Sequence, residues 1–431
     1  MSEFQAPRGT SDLFDQDMRT WQLIEDVINQ FMHVYHIGKM QTPVFEHTEV
    51  FLRNNEASDV VNKEMYTFLD KGGRSLTLRP EGTAGLIRAV AQHKLYNTPE
   101  GLLKYYYLGP NFRYERPQKG RTRIHHQCGV EYIGVKSPIV DAEVIHLGVQ
   151  LLQAIGIDDI KVLINTLGDQ ASRDDYRLRL TKHFKPVVGE LCEDCQRRYV
   201  QNPLRILDCK VDQNHPSFLS VPSMSESVNP TSQTYFQAVI DQLQSLGVDI
   251  EISEQLVRGL DYYTDTVFEI MSNSPEMGAQ STLLGGGRYD GLLAAFNGPE
   301  QSGIGFGMGI ERIMVAANAM GIEFDNKDEV DVYVMPLDQQ ESLAHQLTTL
   351  LRQHGYRVEM DYAGRSMKSQ FKSAERLSAQ VILFVGESEA SKQVVSIKDT
   401  TTQLQSEVPF DQLVDTIDQL FLPKQENHHH D

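Results

Sequence analysis

The chain has 431 residues, 40% hydrophobic and 23% charged, the balance of a soluble globular protein of two or three domains. Its apolar runs fall short of the ~20 residues that span a bilayer, and Met1-Ser2-Glu3-Phe4-Gln5 carries neither the basic nor the apolar region of an export signal, so a cytoplasmic protein is expected. A net charge of −19 argues against sequence-independent adhesion to nucleic acid and leaves only local basic faces for such contacts.

A helix is expected from about Asp17 to Tyr35, where Trp21, Ile24, Val27, Ile28 and Phe31 recur at helical spacing and Gly38 ends the run. Met40-Gln41-Thr42-Pro43-Val44-Phe45 then reads as extended. Strands over 65–70 and 75–79 flank Lys71-Gly72-Gly73 as a hairpin. The second strand runs into Arg79-Pro80-Glu81-Gly82-Thr83-Ala84, where Pro and Gly turn the chain into a helix ending near Gln92. Glu81 and Thr83 stand at that junction, either as acceptors for an ammonium group or with Thr83 as an ordinary helix cap.

A strand over 103–114 and a partner over 125–134 are joined by a tip that turns at Pro117 and Gly120. Arg113, Arg116, Lys119, Arg121 and Arg123 crowd this hairpin, with Glu115 the one acid among them. Such a cluster suits a polyanion, because the guanidinium fork matches phosphate oxygens. A helix over 141–156 and a strand over 161–165 follow.

From about Gly168 to Ser253 the chain turns helical and more polar, and reads as an insertion between two parts of one core. It carries Cys192, Cys195 and Cys209. In a long cytosolic chain these read as reduced thiols rather than a disulfide framework. Cys192-x-x-Cys195 with Cys209 and His215 has the ligand types of a zinc site, but His215 lacks a paired histidine, and no metal is assigned.

An Arg258-Gly259 turn precedes a Tyr-rich strand from Tyr262 to Ile270. Leu284-Gly285-Gly286-Gly287-Arg288-Tyr289 lacks the Gly-Lys-Ser/Thr ending of a phosphate loop. It fits a backbone that a small ligand approaches closely, with Tyr289 facing the ligand. Gly303 to Gly309 is a Gly-rich strand that enters a helix carrying Arg312. Beyond a polar linker near 318–329, strands alternate with helices in the pattern of an open α/β domain with a mostly parallel centre. Arg365, Lys368, Lys372 and Arg376 cluster around one of its helices, where they could touch RNA.

Phe112-Arg113-Tyr114-Glu115-Arg116, followed by the basic loop to Arg121, resembles the second signature motif of class II aminoacyl-tRNA synthetases, in the version found in histidyl-tRNA synthetases. The helix and extended segment around Pro43 resemble the first motif, and Gly303 to Ile313, with Arg312, the third, whose glycines would let an adenine and ribose lie flat on the strand. Arg79 to Thr83 and Arg258 to Tyr263 resemble two further stretches of the histidyl enzymes.

The resemblance covers nearly the whole chain. It implies an α+β catalytic domain over 1–325 with a mixed, mostly antiparallel class II synthetase sheet, a helical insertion at 168–253, and a C-terminal α/β anticodon-binding domain over 326–425. It implies a homodimer away from membranes that activates histidine with ATP and Mg2+ and transfers it to the end of tRNA(His). Arg113 and Arg258 are then the catalytic residues. Glu81, Thr83 and Gln127 hold the α-amino group, while Glu131, Tyr263 and Tyr289 read the imidazole, with Tyr262 and Arg258 also on the histidine. Arg113, Glu115, Arg121 and Arg312 bind ATP, and Arg116, Gln118 and Lys119 meet the tRNA.

Two related readings stay open. Regulatory, non-catalytic subunits of ATP phosphoribosyltransferase share this core but lack the C-terminal domain. Synthetases for threonine or proline share both parts, and the stretch from Arg258 to Tyr263 argues against them.

Overall fold

The protein is described here by a computed structural model covering residues 4–53, 60–117, 120–258, 260, 262–322, 324 and 329–421. It divides into two compact units, residues 1–324 and 325–431.

The strands of the first unit are β1 (Gly38–Lys39), β2 (Phe45–His47), β3 (Tyr66–Leu69), β4 (Ser75–Leu78), β5 (Leu103–Phe112), β6 (Ile124–Ile133), β7 (Ile160–Thr166), β8 (Ile250–Ile252), β9 (Thr264–Ser272), β10 (Thr282–Arg288) and β11 (Gly303–Gly309). Eight of them form one sheet in the order β1-β5-β6-β11-β10-β9-β7-β8. Its two edge pairings are parallel and its inner pairings antiparallel, the mixed sheet expected from the sequence. The hairpin expected at 65–79 is β3 with β4, and β2 completes a separate three-stranded sheet. Residues 40–44, expected to be extended, lie between β1 and β2 and belong to neither.

The two faces of the large sheet differ because side chains alternate along a strand. On β11, Ile304, Phe306 and Met308 point into the main core, beside Cys128 and Val130 of β6. The helix Asp15–Val34 lays Trp21, Ile24, Ile28 and Met32 on that core, and the helix Pro138–Ala154 adds Val144, Ile145, Leu147, Leu151 and Leu152. Each such side chain contributes roughly 1.5–3 kcal/mol on burial. The second helix starts cleanly because Ser137 accepts a hydrogen bond from the Ile139 amide and Pro138 takes the first turn. Gly303, Gly305, Gly307 and Gly309 fall on the opposite face, which is left free for chemistry.

The expected insertion is helical over Gln170–Phe184 and Glu193–Gln201, but its last third is core. The helix Pro230–Ser245 buries Val239, Ile240 and Leu243 in the main cluster, and β8 extends the large sheet alongside β7. The mean polarity of the segment hid this narrow apolar stripe.

Arg288 is wholly buried on the core side of β10 and pairs with the equally buried Asp141. Thr266 Oγ1 donates to the same carboxylate at 2.7 Å. Removing one partner of a buried pair leaves an uncompensated charge. Arg288→Met is therefore expected to lower unfolding stability by about 3–5 kcal/mol, and Arg288→Met combined with Asp141→Leu to restore part of it. Urea unfolding of the two variants checks this, and a double variant no more stable than the single one would contradict it.

In the second unit β12 (Val332–Pro336), β13 (Val358–Met360), β14 (Val381–Val385), β15 (Val394–Asp399) and β16 (Gln405–Pro409) are ordered β13-β12-β14-β15-β16. The first three are parallel and the last two antiparallel. β16, Gln405-Ser406-Glu407-Val408-Pro409, is a polar strand that buries only Val408 at the sheet edge. Among the described residues no helix is long and apolar enough to cross a membrane.

Candidate active site

A cavity of about 360 Å³ opens on the glycine face of the large sheet. Glu81, Thr83, Gln127, Glu131, Arg258, Tyr262, Tyr263 and Tyr289 line it, together with Arg113, Glu115, Arg121 and Arg312. Residues singled out from distant parts of the sequence thus meet in one place. Arg116 is exposed and does not line the cavity, and Gln118 and Lys119 lie outside the described residues.

The glycines serve the protein's own side chains first. A Cβ on Gly305 would stand 2.0 Å from Glu131 Oε2, and one on Gly307 2.2 Å from Gln127 Nε2. A Cβ on Gly285 would meet the Arg258 guanidinium at 2.4 Å. The repeat read from sequence as room for a ligand therefore lets Glu131, Gln127 and Arg258 lie flat across neighbouring strands.

Glu131 is the centre of the floor. Thr83 Oγ1 donates to its Oε1 and the Tyr289 hydroxyl to its Oε2, each at 2.6 Å. Burial pushes this carboxyl up to about 8, against the pull of those two hydrogen bonds. Tyr262 packs against both Tyr263 and Tyr289, with ring centroids 4.8 and 5.9 Å away. Burial holds all three phenols above their ordinary range, so they remain donors.

The corner assigned to an α-amino group differs in detail from expectation. Glu81, not Thr83, caps the helix Thr83–Gln92: its two oxygens accept from the Thr83 and Ala84 amides at 2.9 and 3.0 Å. The Gln127 amide oxygen already accepts from the Tyr107 hydroxyl at 2.9 Å and from Asn111 at 3.0 Å. What Gln127 offers a ligand is therefore its N–H2, which suits a carboxylate and not an ammonium.

The opposite end is cationic. Glu115 pairs with Arg121 and stands 3.9 Å from Arg113, whose Nε is anchored on the Pro80 carbonyl at 2.8 Å. Arg312 is tied to carbonyls, those of Thr282 at 2.9 Å and Gly120 at 3.4 Å. Burial and the charges of Arg121 and Arg113 lower its pKa. Burial, then Arg113 and Arg312, hold His125 well below the usual imidazole range. This corner carries more positive charge than its carboxylates balance and is poised for a polyanion.

Arg258 lies between the two ends. Burial opposes its charge, but Glu269 and Tyr263 more than offset that and raise its pKa. Glu269 holds the guanidinium and also accepts from Thr282 Oγ1 at 3.0 Å. Glu269, Tyr107 and His125 were missed as site residues. Tyr107 had one signal, since Gly82 and Gly129 both give way to its ring, a Cβ at either lying about 2 Å from it.

The family model described as histidyl-tRNA synthetase matches residues 9–170 and 204–313, and the one described as anticodon binding domain matches 331–420. The chain belongs to the histidyl-tRNA synthetase family. It is 46% identical to the histidine–tRNA ligase of Oceanobacillus iheyensis over 96% of each chain. It is also 46% identical to that of Bacillus subtilis, over 95% of this chain and 97% of the relative. Apo histidyl-tRNA synthetase of S. aureus superposes with a TM-score of 0.82 at 38% identity, covering 96% of this chain and 99% of that one. This synthetase is a ligase that joins histidine to tRNA(His), with ATP as the co-substrate of the first step. The regulatory-subunit reading and the readings as a threonine or proline enzyme fall away.

Proposed function

We propose that the cavity divides the labour of histidine–tRNA ligation between its two ends. Glu131, Tyr263 and Tyr289 read the imidazole, Glu81 and Thr83 receive the α-ammonium, and the Gln127 N–H2 holds the carboxylate. Arg113, Arg121 and Arg312 take the triphosphate, with Arg121 held by Glu115 and Arg113 by the Pro80 carbonyl. Mg2+ enters as the counter-ion of ATP, and Glu269 and Glu311 are oxygen donors of the kind it takes.

In the first step a histidine carboxylate oxygen attacks the α-phosphorus and pyrophosphate leaves with the bonding electrons. The nucleophile is already ionised, so the protein supplies alignment and positive charge rather than a base. Arg113 and Arg258 stand on either side of the reacting centre and stabilise the charge that spreads over the phosphoryl oxygens. In the second step a terminal ribose hydroxyl of the tRNA attacks the adenylate carbonyl and AMP leaves. The observation that carries this reading is the junction of a buried carboxyl floor with an under-neutralised arginine corner in one cavity.

The Glu131 carboxyl, pushed up to about 8, is protonated in the ligand-free protein at neutral pH. A free imidazole titrates near ~6.5. Between those values neutral histidine meets a protonated carboxyl, and no proton is exchanged with solvent. Below ~6.5 one proton must leave, and above about 8 one must be taken up. Histidine affinity is therefore expected to peak between about 6.5 and about 8 and to fall tenfold per pH unit on either side. Calorimetric titrations from pH 5.5 to 9 check this. A flat profile, or an alkaline limb that survives Glu131→Gln, would contradict it.

The tRNA is met at two places. Arg116 is exposed, and with Gln118 and Lys119, which lie outside the described residues, it is assigned to the acceptor end. In the second unit Lys368, Lys372 and Arg376 are exposed along the helix Met367–Arg376, whose Gln370 and Ala374 face inward. Arg365, also exposed, is paired with Asp361. Lys368→Glu with Lys372→Glu is expected to lower kcat/KM for tRNA(His) roughly tenfold or more at moderate salt, without changing histidine-dependent ATP–pyrophosphate exchange. Aminoacylation and exchange measured side by side check this, and an unchanged tRNA kcat/KM would contradict it.

The enzyme works in the cytoplasm as a homodimer in this reading. Phe45 and Phe68 leave 48% and 44% of their surface exposed on the small three-stranded sheet, with ring centroids 6.5 Å apart, an apolar patch suited to a second copy.

A further inference from the structure

We propose that Cys192, Cys195, Cys209 and Asp212 form a structural zinc site in the helical insertion. In sequence the four make two arms of the same design, Cys-x-x-Cys and Cys-x-x-Asp, separated by thirteen residues. That is the arrangement of paired metal-binding knuckles, with a carboxylate in the last position. The fourth ligand is not the His215 considered from the sequence. His215 Nδ1 lies 2.8 Å from Ser217 Oγ and its Nε2 3.4 Å from Glu190, and it caps the short helix Pro216–Ser220.

The ligand atoms of the four residues all lie within 4.8 Å of one another. Cys192 Sγ and Cys209 Sγ are 3.7 Å apart, and Cys209 Sγ is 3.6 Å from Asp212 Oδ2. Zinc–sulfur bonds of about 2.3 Å in a tetrahedron set sulfurs ~3.8 Å apart, whereas a disulfide needs about 2.05 Å. The spacing is that of ligands around an ion.

The surroundings fit the same assignment. The Asp212 amide donates to Cys209 Sγ at 3.4 Å. The Cys192 amide in turn donates to the Asp212 carboxylate at 3.0 Å. Backbone N–H groups directed at sulfur favour thiolates and orient them toward a metal. Cys195 and Cys209 are buried and Asp212 is half-buried. Thiols are weak donors to a carboxylate, whereas a divalent cation binds thiolates and carboxylate together. Three thiolates select zinc over the hard cations, and a closed set of four ligands marks a structural rather than a catalytic ion.

The ion would pin the start of the helix Glu193–Gln201 to the loop that carries Asp208 and Lys210, both of which line the active-site cavity on either side of Cys209. The assignment itself does not depend on the reaction in that cavity.

The test is metal analysis of the purified full chain by plasma mass spectrometry after gel filtration with added zinc. The His428-His429-His430 end is an independent metal-binding sequence, so it is measured alongside as His428→Ala/His429→Ala/His430→Ala. About one zinc per chain is expected in the wild type, in that triple variant and in His215→Ala, with loss of that equivalent in Cys195→Ser and in Asp212→Ala. Exchange of the wild-type protein into Co2+ is expected to give the strong visible bands and thiolate charge-transfer absorption of a tetrahedral site. This readout stands even if the cysteine variant fails to fold. Zinc lost with the histidine end, zinc retained without Cys195, no zinc at all, or a weak octahedral cobalt spectrum would each overturn the proposal.

Discussion

Glu131→Ala is expected to lower kcat/KM for histidine roughly 10²- to 10⁴-fold while leaving the KM for ATP within a few-fold of the parent. Glu131 is 1% exposed and is held by hydroxyls from Thr83 on one side and Tyr289 on the other. Gly305 clears the space it occupies. Nothing in this arrangement touches a phosphate, so the loss falls on recognition of the side chain. An imidazole N–H brought to a floor without its acceptor pays for desolvation and receives nothing in return, at a cost of several kcal/mol once charge is involved. Glu131→Gln keeps the shape and one acceptor oxygen but cannot take part in proton sharing, so its loss should be smaller and should remove the alkaline limb of the pH profile. Pyrophosphate exchange as a function of histidine and of ATP separates the two effects. A Glu131→Ala enzyme with unchanged histidine kcat/KM would mean that the imidazole is read elsewhere.

Arg258→Ala is expected to lower the rate of adenylate formation roughly 10²- to 10³-fold, with a much smaller change in histidine affinity. The guanidinium is set before any substrate arrives: Glu269 fixes it, Thr282 fixes Glu269, and Gly285 lets it lie against the sheet. Preorganisation is the reason for a rate effect, since a charge already in place costs no rearrangement when the phosphoryl charge develops. Arg258→Lys keeps the charge and loses the planar fork, so it should fall between the parent and the alanine variant. Single-turnover formation of the adenylate at saturating histidine and ATP reads the step directly. An unchanged rate would place the charge stabilisation on Arg113 alone.

Much of this site was legible because the residues that carry it sit in short, ordered stretches. Arg79 to Thr83, Phe112 to Arg121 and Arg258 to Tyr263 each mark the end of a strand or a turn and contribute side chains to the lining of the cavity. What the sequence could not reveal is which group already holds which. Gln127 was read as a partner for an ammonium because an amide can face either way. Its orientation follows from Tyr107 and Asn111 on the neighbouring strand, which no local pattern announces. Glu269 looked like one polar position in a Tyr-rich strand until Arg258 was brought beside it. The end of the insertion was misjudged for a similar reason. Val239, Ile240 and Leu243 are too few to lower the mean polarity of their segment, yet they suffice to bind that helix to the main core. The glycine repeat of β11 was legible as a place of close approach, but the groups that approach are side chains of the protein itself.

The most direct test of the account is histidine-dependent ATP–pyrophosphate exchange in the absence of tRNA, with the other amino acids as controls. Exchange supported by histidine alone, and lost with Arg258→Ala, is the predicted result. Exchange supported equally by another amino acid, or none by histidine in a folded protein that still binds it, would contradict the account.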